Sequence, residues 1–87
     1  MNYEVVWTRS AENDLAALWI AAPDQAAVSV AAHVIDQELA LRPLAVGDRQ
    51  SSSVHRVIYR APLGVEYEVI QDDSRVIVQA VFAAPSA

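Results

Sequence analysis

Apolar and polar residues alternate with a period of two near both ends of the chain, which predicts β-strands in these regions. The clearest alternation lies in residues 63–71, where Glu66 and Glu68 occupy one side and apolar residues the other. Residues 72–74, Asp-Asp-Ser, have the composition of a tight turn. The predicted strands are residues 3–8, 54–60, 63–71 and 75–82. Their predicted core-facing residues are Tyr3, Val5, Trp7, Leu63, Val65, Tyr67, Val69, Val76, Val78, Ala80 and Phe82.

Between the first and second strands, the spacing of apolar residues changes to that of α-helices. Thr8 or Ser10 is suited to cap a first helix that ends near Ala22. Pro23 suits the first turn of a second helix, and Pro43 stops that helix. The predicted buried residues are Ala11, Leu15, Leu18, Trp19 and Ala22 in the first helix and Val28, Ala31, Ile35 and Leu39 in the second.

The order of these elements predicts a single α+β domain over residues 1–87. An N-terminal strand is followed by a helical hairpin and then by a three-stranded antiparallel meander. All four strands are expected to form one sheet with the helices on one face (β-α-α-β-β-β). Residues 44–53, which include Gly47 and three serines, are predicted to be a loop.

The residue types present exclude several kinds of chemical site. The chain contains no cysteine, which excludes disulfides and thiolate metal sites. His33 and His55 have no further ligands at metal-binding spacing, and the serines at 51–53 lack the flanking glycines of a nucleophile elbow. We therefore predict no metal, no cofactor and no catalytic nucleophile.

The charge of the chain is acidic, with six arginines, no lysine and eleven carboxylates, which gives a net charge of −5 at pH 7. Since proteins that hold a phosphate backbone normally present a basic surface, direct nucleic-acid binding is disfavoured. No apolar run approaches the roughly 18 residues that span a membrane. The acidic start, residues 1–4, also differs from a signal peptide. The predicted compartment is the cytoplasm, without membrane association.

Several short segments, taken in their order and spacing, resemble the RelE/ParE superfamily of toxins from type II toxin–antitoxin systems. Together they extend over about residues 3–82. Each segment alone is a short pattern of core positions, so the combination gives the resemblance its specificity. The segments are residues 3–8, Ala11 with Asp14 and Leu15, Ile35 and Asp36 with Leu39 and Pro43, and residues 62–69.

This resemblance implies a small bacterial toxin that a cognate antitoxin protein wraps and neutralises, as in plasmid-stabilisation systems. In one branch of the family, the toxin cleaves mRNA on the ribosome and uses basic residues on the sheet and near the chain end. In the ParE branch, the toxin instead poisons DNA gyrase and has no established hydrolytic site.

The residues at the ribonuclease-branch positions favour the ParE branch. The sheet arginine of the ribonuclease branch falls near Gly64, and its later basic residues fall on Ala83 and Ala84. Because this type of RNA cleavage needs an acid–base group and cations around the phosphate, we predict no catalytic residues and a gyrase-type protein target. Two alternatives stay open. One is a non-toxic binding or oligomerisation module with the family fold, and the other is a ribosome-dependent mRNA endonuclease.

Arg56 and Arg60 are two candidates for target contact. They share one side of their predicted strand, and the glutamates of the next strand are expected on that same side. The two arginines therefore either form cross-strand ion pairs or bind an anionic ligand or target protein. Glu38, near the end of the second helix, is expected to pair with Arg42 or with an arginine of the loop.

Trp19 and Ile20 are two candidates for partner binding. These neighbours on the first helix cannot both face the core. If Trp19 packs inward, Ile20 joins Ala16 and Ala17 on an outward apolar strip. Such a strip is suited to a partner helix or to a second copy of the chain, so a homodimer is one predicted assembly.

Overall fold

The computed structural model describes residues 2–49 and 55–85. The helices are α1 (Arg9–Ala21), α2 (Gln25–Leu41) and α3 (Pro43–Val46), and the strands are β1 (Glu4–Trp7), β2 (Asp48–Arg49), β3 (His55–Arg60), β4 (Leu63–Ile70) and β5 (Arg75–Ala83). A 3-10 turn, Gln71–Asp73, joins β4 to β5. Over the described ranges, no helix is both long enough and apolar enough to cross a membrane.

The strands form one mixed sheet in the order β1-β5-β4-β3-β2. β1 lies parallel to β5, whereas β3, β4 and β5 form an antiparallel meander and the short β2 pairs with β3 at one edge. The two long helices pack against one face of the sheet. The predicted α+β architecture, with an N-terminal strand, a helical hairpin and a meander in one sheet, is confirmed.

Both long helices begin at side chains that cap their first backbone N–H groups. Thr8 Oγ1 accepts a hydrogen bond from the Ala11 N–H at 3.1 Å. Asp24 Oδ1 accepts one from the Ala27 N–H, also at 3.1 Å. The predicted place of Pro23 in the first turn of α2 is wrong, because the helix starts after Asp24, which has the side-chain acceptor that proline lacks.

Much of the segment predicted as a loop, residues 44–53, is regular structure. Pro43 occupies the first turn of α3, and β2 follows Gly47. The Tyr67 hydroxyl of β4 donates a hydrogen bond to the Pro43 carbonyl at 2.6 Å, which fixes α3 against the sheet. Burial raises the pKa of this phenol above its ordinary value of 10.0. Residues 50–54, which the sequence assigns to the loop and the start of a strand, lie outside the described residues.

The hydrophobic core lies between the helices and the inner face of the sheet. α2 and β4 supply the buried residues that the sequence predicts for them, and Tyr3, Val5 and Trp7 pack against this core while remaining half-buried. The buried residues of α2, β4 and β5 are Val28, Ala31, Ile35, Leu39, Leu63, Val65, Tyr67, Val69, Val76, Val78 and Val81.

A bulge changes which residues of β5 face the core. The pairing register with β4 shifts by one residue at Gln79, which stands unpaired as the extra residue. Alternation resumes beyond it with the opposite phase, so Val81 points into the core. The predicted core positions of Ala80 and Phe82 are therefore wrong.

Candidate partner-binding groove

A groove of about 740 Å³ lies between α1 and α2 and reaches the last residue of β1. Its lining is mostly apolar, with two carboxylates, one hydroxyl and one imidazole. Its size is within the range of about 300–1,000 Å³ that is usual for ligand pockets. The lining residues are Trp7, Leu15, Ala16, Trp19, Ile20, Val28 and Ala32, with the polar Glu12, Ser29, His33 and Asp36.

The groove is held together by a hydrogen bond between the sheet and α2. Trp7 is the last residue of β1, and the alternation of that strand turns its indole toward the helices. Trp7 Nε1 donates to Asp36 Oδ1 at 2.9 Å. This bond fixes the indole in the groove and leaves the acidic Asp36 as part of the groove lining.

The structure brings the two predicted partner-binding residues of α1, Trp19 and Ile20, together in this groove. Trp19 is 42% exposed and Ile20 is 72% exposed, so the prediction that Trp19 belongs to the buried stripe is wrong. Leu15 and Leu18 pack on the core instead. Trp19 follows Leu18 by one helical step of about 100°, which carries its side chain beyond the sheet contact and into the groove.

Arg56 and Arg60 lie on the helix-covered side of the sheet, not with the glutamates of β4. The two-residue turn between β3 and β4 places Arg60 opposite Leu63 and Arg56 opposite Tyr67, and directly opposed residues share a face. Arg56 Nη1 donates to the Gly47 carbonyl at 3.2 Å. The predicted shared side of the arginines and the glutamates is therefore wrong, because the turn sets the other register.

Glu38 binds Arg60 through two hydrogen bonds. Arg60 Nε and Nη2 donate to Glu38 Oε1 and Oε2 at 2.6 and 2.8 Å. The hydrogen bonds from Arg60 lower the pKa of Glu38 below its ordinary value of 4.5, against the opposing effect of burial. The predicted contact with Arg42 is also present, at the longer distance of 3.9 Å. Sequence patterns could not indicate the Arg60 contact, since the two residues are 22 positions apart on different elements.

The outer face of the sheet has an aromatic pair beside Gly64, the residue near which the resemblance places the ribonuclease-branch arginine. Gly64 lies under the Phe82 ring, which occupies the space that a Cβ at Gly64 would need. Phe82 packs edge-on against Tyr59, with ring centres 6.0 Å apart. A long cationic side chain at Gly64 would have to displace this ring.

Carboxylates lie on the same outer face of the sheet as the aromatic pair. Glu66 and Glu68 of β4 point to this side, and Glu68 Oε1 accepts a hydrogen bond from Gln79 Nε2 at 3.0 Å. Arg75 shares the face and donates to Glu4 Oε1 at 3.1 Å, so its charge is compensated locally. Among the side chains that the structure describes, this face therefore has more negative than positive charge.

No group of three or more metal-binding side chains is found within residues 2–49 and 55–85. His33 lines the groove on α2, whereas His55 lies opposite Glu68 on the outer face of the sheet. The two histidines thus belong to different surfaces of the molecule.

Comparison with solved structures identifies the fold. No protein-family model and no curated protein matches the sequence. A chain of the RelBE2 toxin–antitoxin complex from Mycobacterium tuberculosis superposes with a TM-score of 0.82 at 18% identity, covering 99% of this chain and 95% of that chain. The isolated RelE toxin of Escherichia coli gives 0.70 at 14% identity, covering 98% and 87%.

A third structure, from the chromosomal ParDE toxin–antitoxin system of Pseudomonas aeruginosa, has a TM-score of 0.67 at 16% identity and covers 95% of this chain and 97% of that chain. All three comparisons span nearly the whole of each chain. The protein therefore has the fold that the RelE and ParE structures share.

Proposed function

We propose that this protein is the toxin-side component of a type II toxin–antitoxin system, neutralised by a cognate antitoxin. The observation that carries this proposal is the near-complete superposition on a chain of the RelBE2 toxin–antitoxin complex. By their own names, the other two neighbours are an isolated RelE toxin and a chromosomal ParDE toxin–antitoxin system.

The outer face of the sheet supports a ParE-like action on a protein target over RNA cleavage. A phosphate in an RNA-cleaving site needs cations that stabilise the negative charge of the transition state. Here Gly64 is covered by Phe82, and carboxylates lie on the same face. Ala83 and Ala84, at the later basic positions, supply no charge. We therefore include a gyrase-type protein target and the absence of hydrolytic activity in the proposal.

The groove between α1 and α2 supports binding of an antitoxin helix. An amphipathic helix binds by placing its apolar side chains in a hydrophobic groove, and Trp19 and Ile20 present such a surface. The carboxylates of Glu12 and Asp36 favour a helix with basic residues beside its apolar stripe. The target contact predicted for Arg56 and Arg60 also stays in the proposal, and Arg60 keeps 37% of its side chain exposed.

The remaining parts of the proposal are a cytoplasmic location, a role in plasmid stabilisation and formation of a homodimer. The test of the toxin function is inducible expression of this chain alone in a bacterial host, with growth, plasmid supercoiling and translation measured together. Growth arrest with gyrase-type DNA damage is the expected result. Arrest of translation with intact DNA would replace the ParE-like part with the ribonuclease alternative. Normal growth at high soluble expression would overturn the toxin function and favour the non-toxic module.

A further inference from the structure

The groove between α1 and α2 has two chemically different ends. The two helices form a hairpin with a short connection, residues 22–24, so they run in opposite directions. Trp19 and Ile20 lie close to this connection and form the apolar end of the groove. Glu12 precedes the connection by ten positions and Asp36 follows it by twelve, which places these two carboxylates on the two walls of the far end.

Three elements meet at the far end, which we call the acidic end. β1 supplies Trp7, α1 supplies Glu12 and α2 supplies Asp36. The Trp7 indole N–H is already donated to Asp36 Oδ1, at 2.9 Å. A carboxylate can accept about four hydrogen bonds through its two oxygens, so both carboxylates can accept donors from a partner. Glu12 is exposed and Asp36 is half-buried, which leaves both within reach of a partner.

Among the side chains that the structure describes, no arginine of this chain compensates the acidic end. The ion pairs of those side chains involve Glu38 and Glu4 instead. The chain also contains no lysine. A cationic group from a partner would therefore be attracted by both carboxylates of the acidic end, and charge complementarity of this kind selects partners.

We infer that the acidic end binds a guanidinium or ammonium group of a partner helix, while Trp19 and Ile20 hold a large apolar side chain of the same helix. This inference rests on the proposed binding of an antitoxin helix in this groove and identifies its two anchors. Glu12 and Trp19 are seven positions apart on α1, which corresponds to about 10.5 Å along the helix axis. A partner helix that lies along the groove therefore needs its basic and apolar anchors about seven positions apart, on the same side of the helix.

The chemistry of the acidic end favours a cation over the other kinds of side chain. An acidic side chain would be repelled by the two carboxylates, and an apolar one would remove water from them without supplying hydrogen bonds. An indole such as that of Trp7 attracts a cation through its π electrons. A guanidinium is especially suitable, because its planar fork of N–H donors matches a carboxylate and also stacks on aromatic rings.

A second copy of this chain does not present the required pattern on either long helix. α2 contains no arginine or lysine. Arg42, just beyond α2, lies seven positions after Ile35, which is fully buried in the core. Arg9 of α1 lies seven positions before Ala16, whose side chain is small. The occupant is therefore a different protein, with an arginine or lysine about two helical turns from a large apolar residue.

Tryptophan fluorescence measures occupation of the groove, because both tryptophans of the chain line it. The probe is an alanine-based helical peptide of about 18 residues, with a central leucine and an arginine seven positions to each side. Arginines on both sides allow the peptide to bind in either direction. The matched probe has citrulline in place of both arginines, which keeps their shape without their charge. We expect the arginine peptide to bind more tightly than the citrulline peptide by about fivefold or more.

Variants of the protein identify the groups that make the contact. Asp36→Asn keeps an oxygen that can accept the Trp7 N–H, and Glu12→Gln changes an exposed side chain, so both variants should fold. When the two substitutions are combined, the arginine and citrulline peptides should bind equally. Glu66→Gln with Glu68→Gln is the matched control, because it removes the same number of charges from the outer face of the sheet and should keep the preference for arginine.

The inference is overturned if the citrulline peptide binds wild type as tightly as the arginine peptide, or if the preference survives in the groove variant or disappears in the outer-face control. The absence of a saturable fluorescence change up to about 1 mM peptide would also overturn it. Peptide binding that weakens as the protein concentration rises would show that a second copy covers the groove, again against the inference. None of these measurements uses toxicity or an antitoxin, so a failure of the toxin function would leave this site tested on its own.

Discussion

At the scale of single residues, the contact between Glu38 and Arg60 connects a helix to the sheet. It joins the last turns of α2 to the end of β3, and both Glu38 oxygens accept from the same guanidinium. The Glu38 side chain is 17% exposed, whereas Arg60 is 37% exposed. Without Arg60, the mostly buried Glu38 carboxylate would lose two hydrogen-bond donors. This loss lowers the free energy of unfolding more than the loss of an exposed ion pair does.

We predict that Arg60→Met lowers the free energy of unfolding by about 1–2 kcal/mol, a value that allows for solvent screening at the exposed guanidinium. Urea denaturation at neutral pH measures this change. Arg75→Met is the matched control, because it breaks the exposed Arg75–Glu4 pair and should cost less than about 0.5 kcal/mol. Equal costs for the two variants would show that the Glu38 contact is no stronger than a surface pair.

The same ion pair predicts a pH dependence of stability. Since the folded pKa of Glu38 lies below its ordinary 4.5, the ionised carboxylate stabilises the folded state above that value. This contribution is lost as the pH falls from about 4.5 through the lower folded pKa. The difference in unfolding free energy between wild type and Arg60→Met should therefore narrow on acidification. Urea titrations at a series of pH values measure this difference in unfolding free energy. A difference that stays constant below the folded pKa of Glu38 would contradict the prediction.

At the scale of elements, the groove is formed because α1 and α2 both pack on the sheet and leave side chains between them uncovered. Trp7 and Trp19, the two tryptophans of the chain, both line this groove. Intrinsic fluorescence therefore reports on its occupation. Ile20, the most exposed of the large apolar residues described, lies beside them and is the natural anchor for a bound helix.

We predict that Ile20→Glu weakens binding of the antitoxin by tenfold or more, because it buries a charge in an apolar contact. The probe is the protein encoded by the reading frame next to this gene, and binding is followed by tryptophan fluorescence and by rescue of growth. Val30→Glu introduces the same charge on the other side of α2 and should leave antitoxin affinity unchanged. If both variants bind as tightly as wild type, the antitoxin does not use the groove.

The elements whose hydrophobic period is uninterrupted are the ones that the sequence predicts well. The buried side of α2 and the alternation of β4 both match the structure, since each follows one period along its whole length. The phase of β5 beyond Val78 could not be predicted, because one extra residue, Gln79, reverses it without a glycine or proline to mark the bulge. Tertiary bonds such as Tyr67 to Pro43 likewise have no local signal.

The faces of Arg56 and Arg60 show how a small error in register reverses a functional interpretation. Residues that flank a two-residue turn are directly opposed, and the residues at 61 and 62 form that turn here. Arg60 therefore shares the face of Leu63. Arg60 was expected beside the glutamates, as a candidate for target contact. It instead binds Glu38 on the inner face of the sheet.

At the scale of the whole molecule, the eleven carboxylates outnumber the six arginines. The net charge is −5, and carboxylates occur both in the groove and on the outer face of the sheet. Binding of RNA draws its affinity from cations that replace the counterions of the phosphates. Because function depends on the site more than on the fold, this charge pattern is the feature that disfavours direct RNA binding in our proposal.

We predict that the protein binds a single-stranded RNA oligonucleotide more weakly than about 10⁻⁴ M at physiological salt, the weak end of non-specific binding. The matched variant is Glu66→Lys with Glu68→Lys, which changes the net charge from −5 by +4 to −1 and makes the outer face cationic. Fluorescence anisotropy should detect RNA binding by this variant, and added salt should remove it. Binding by the wild type at micromolar concentration would show that the described charges do not control the interaction and would favour the ribonuclease alternative.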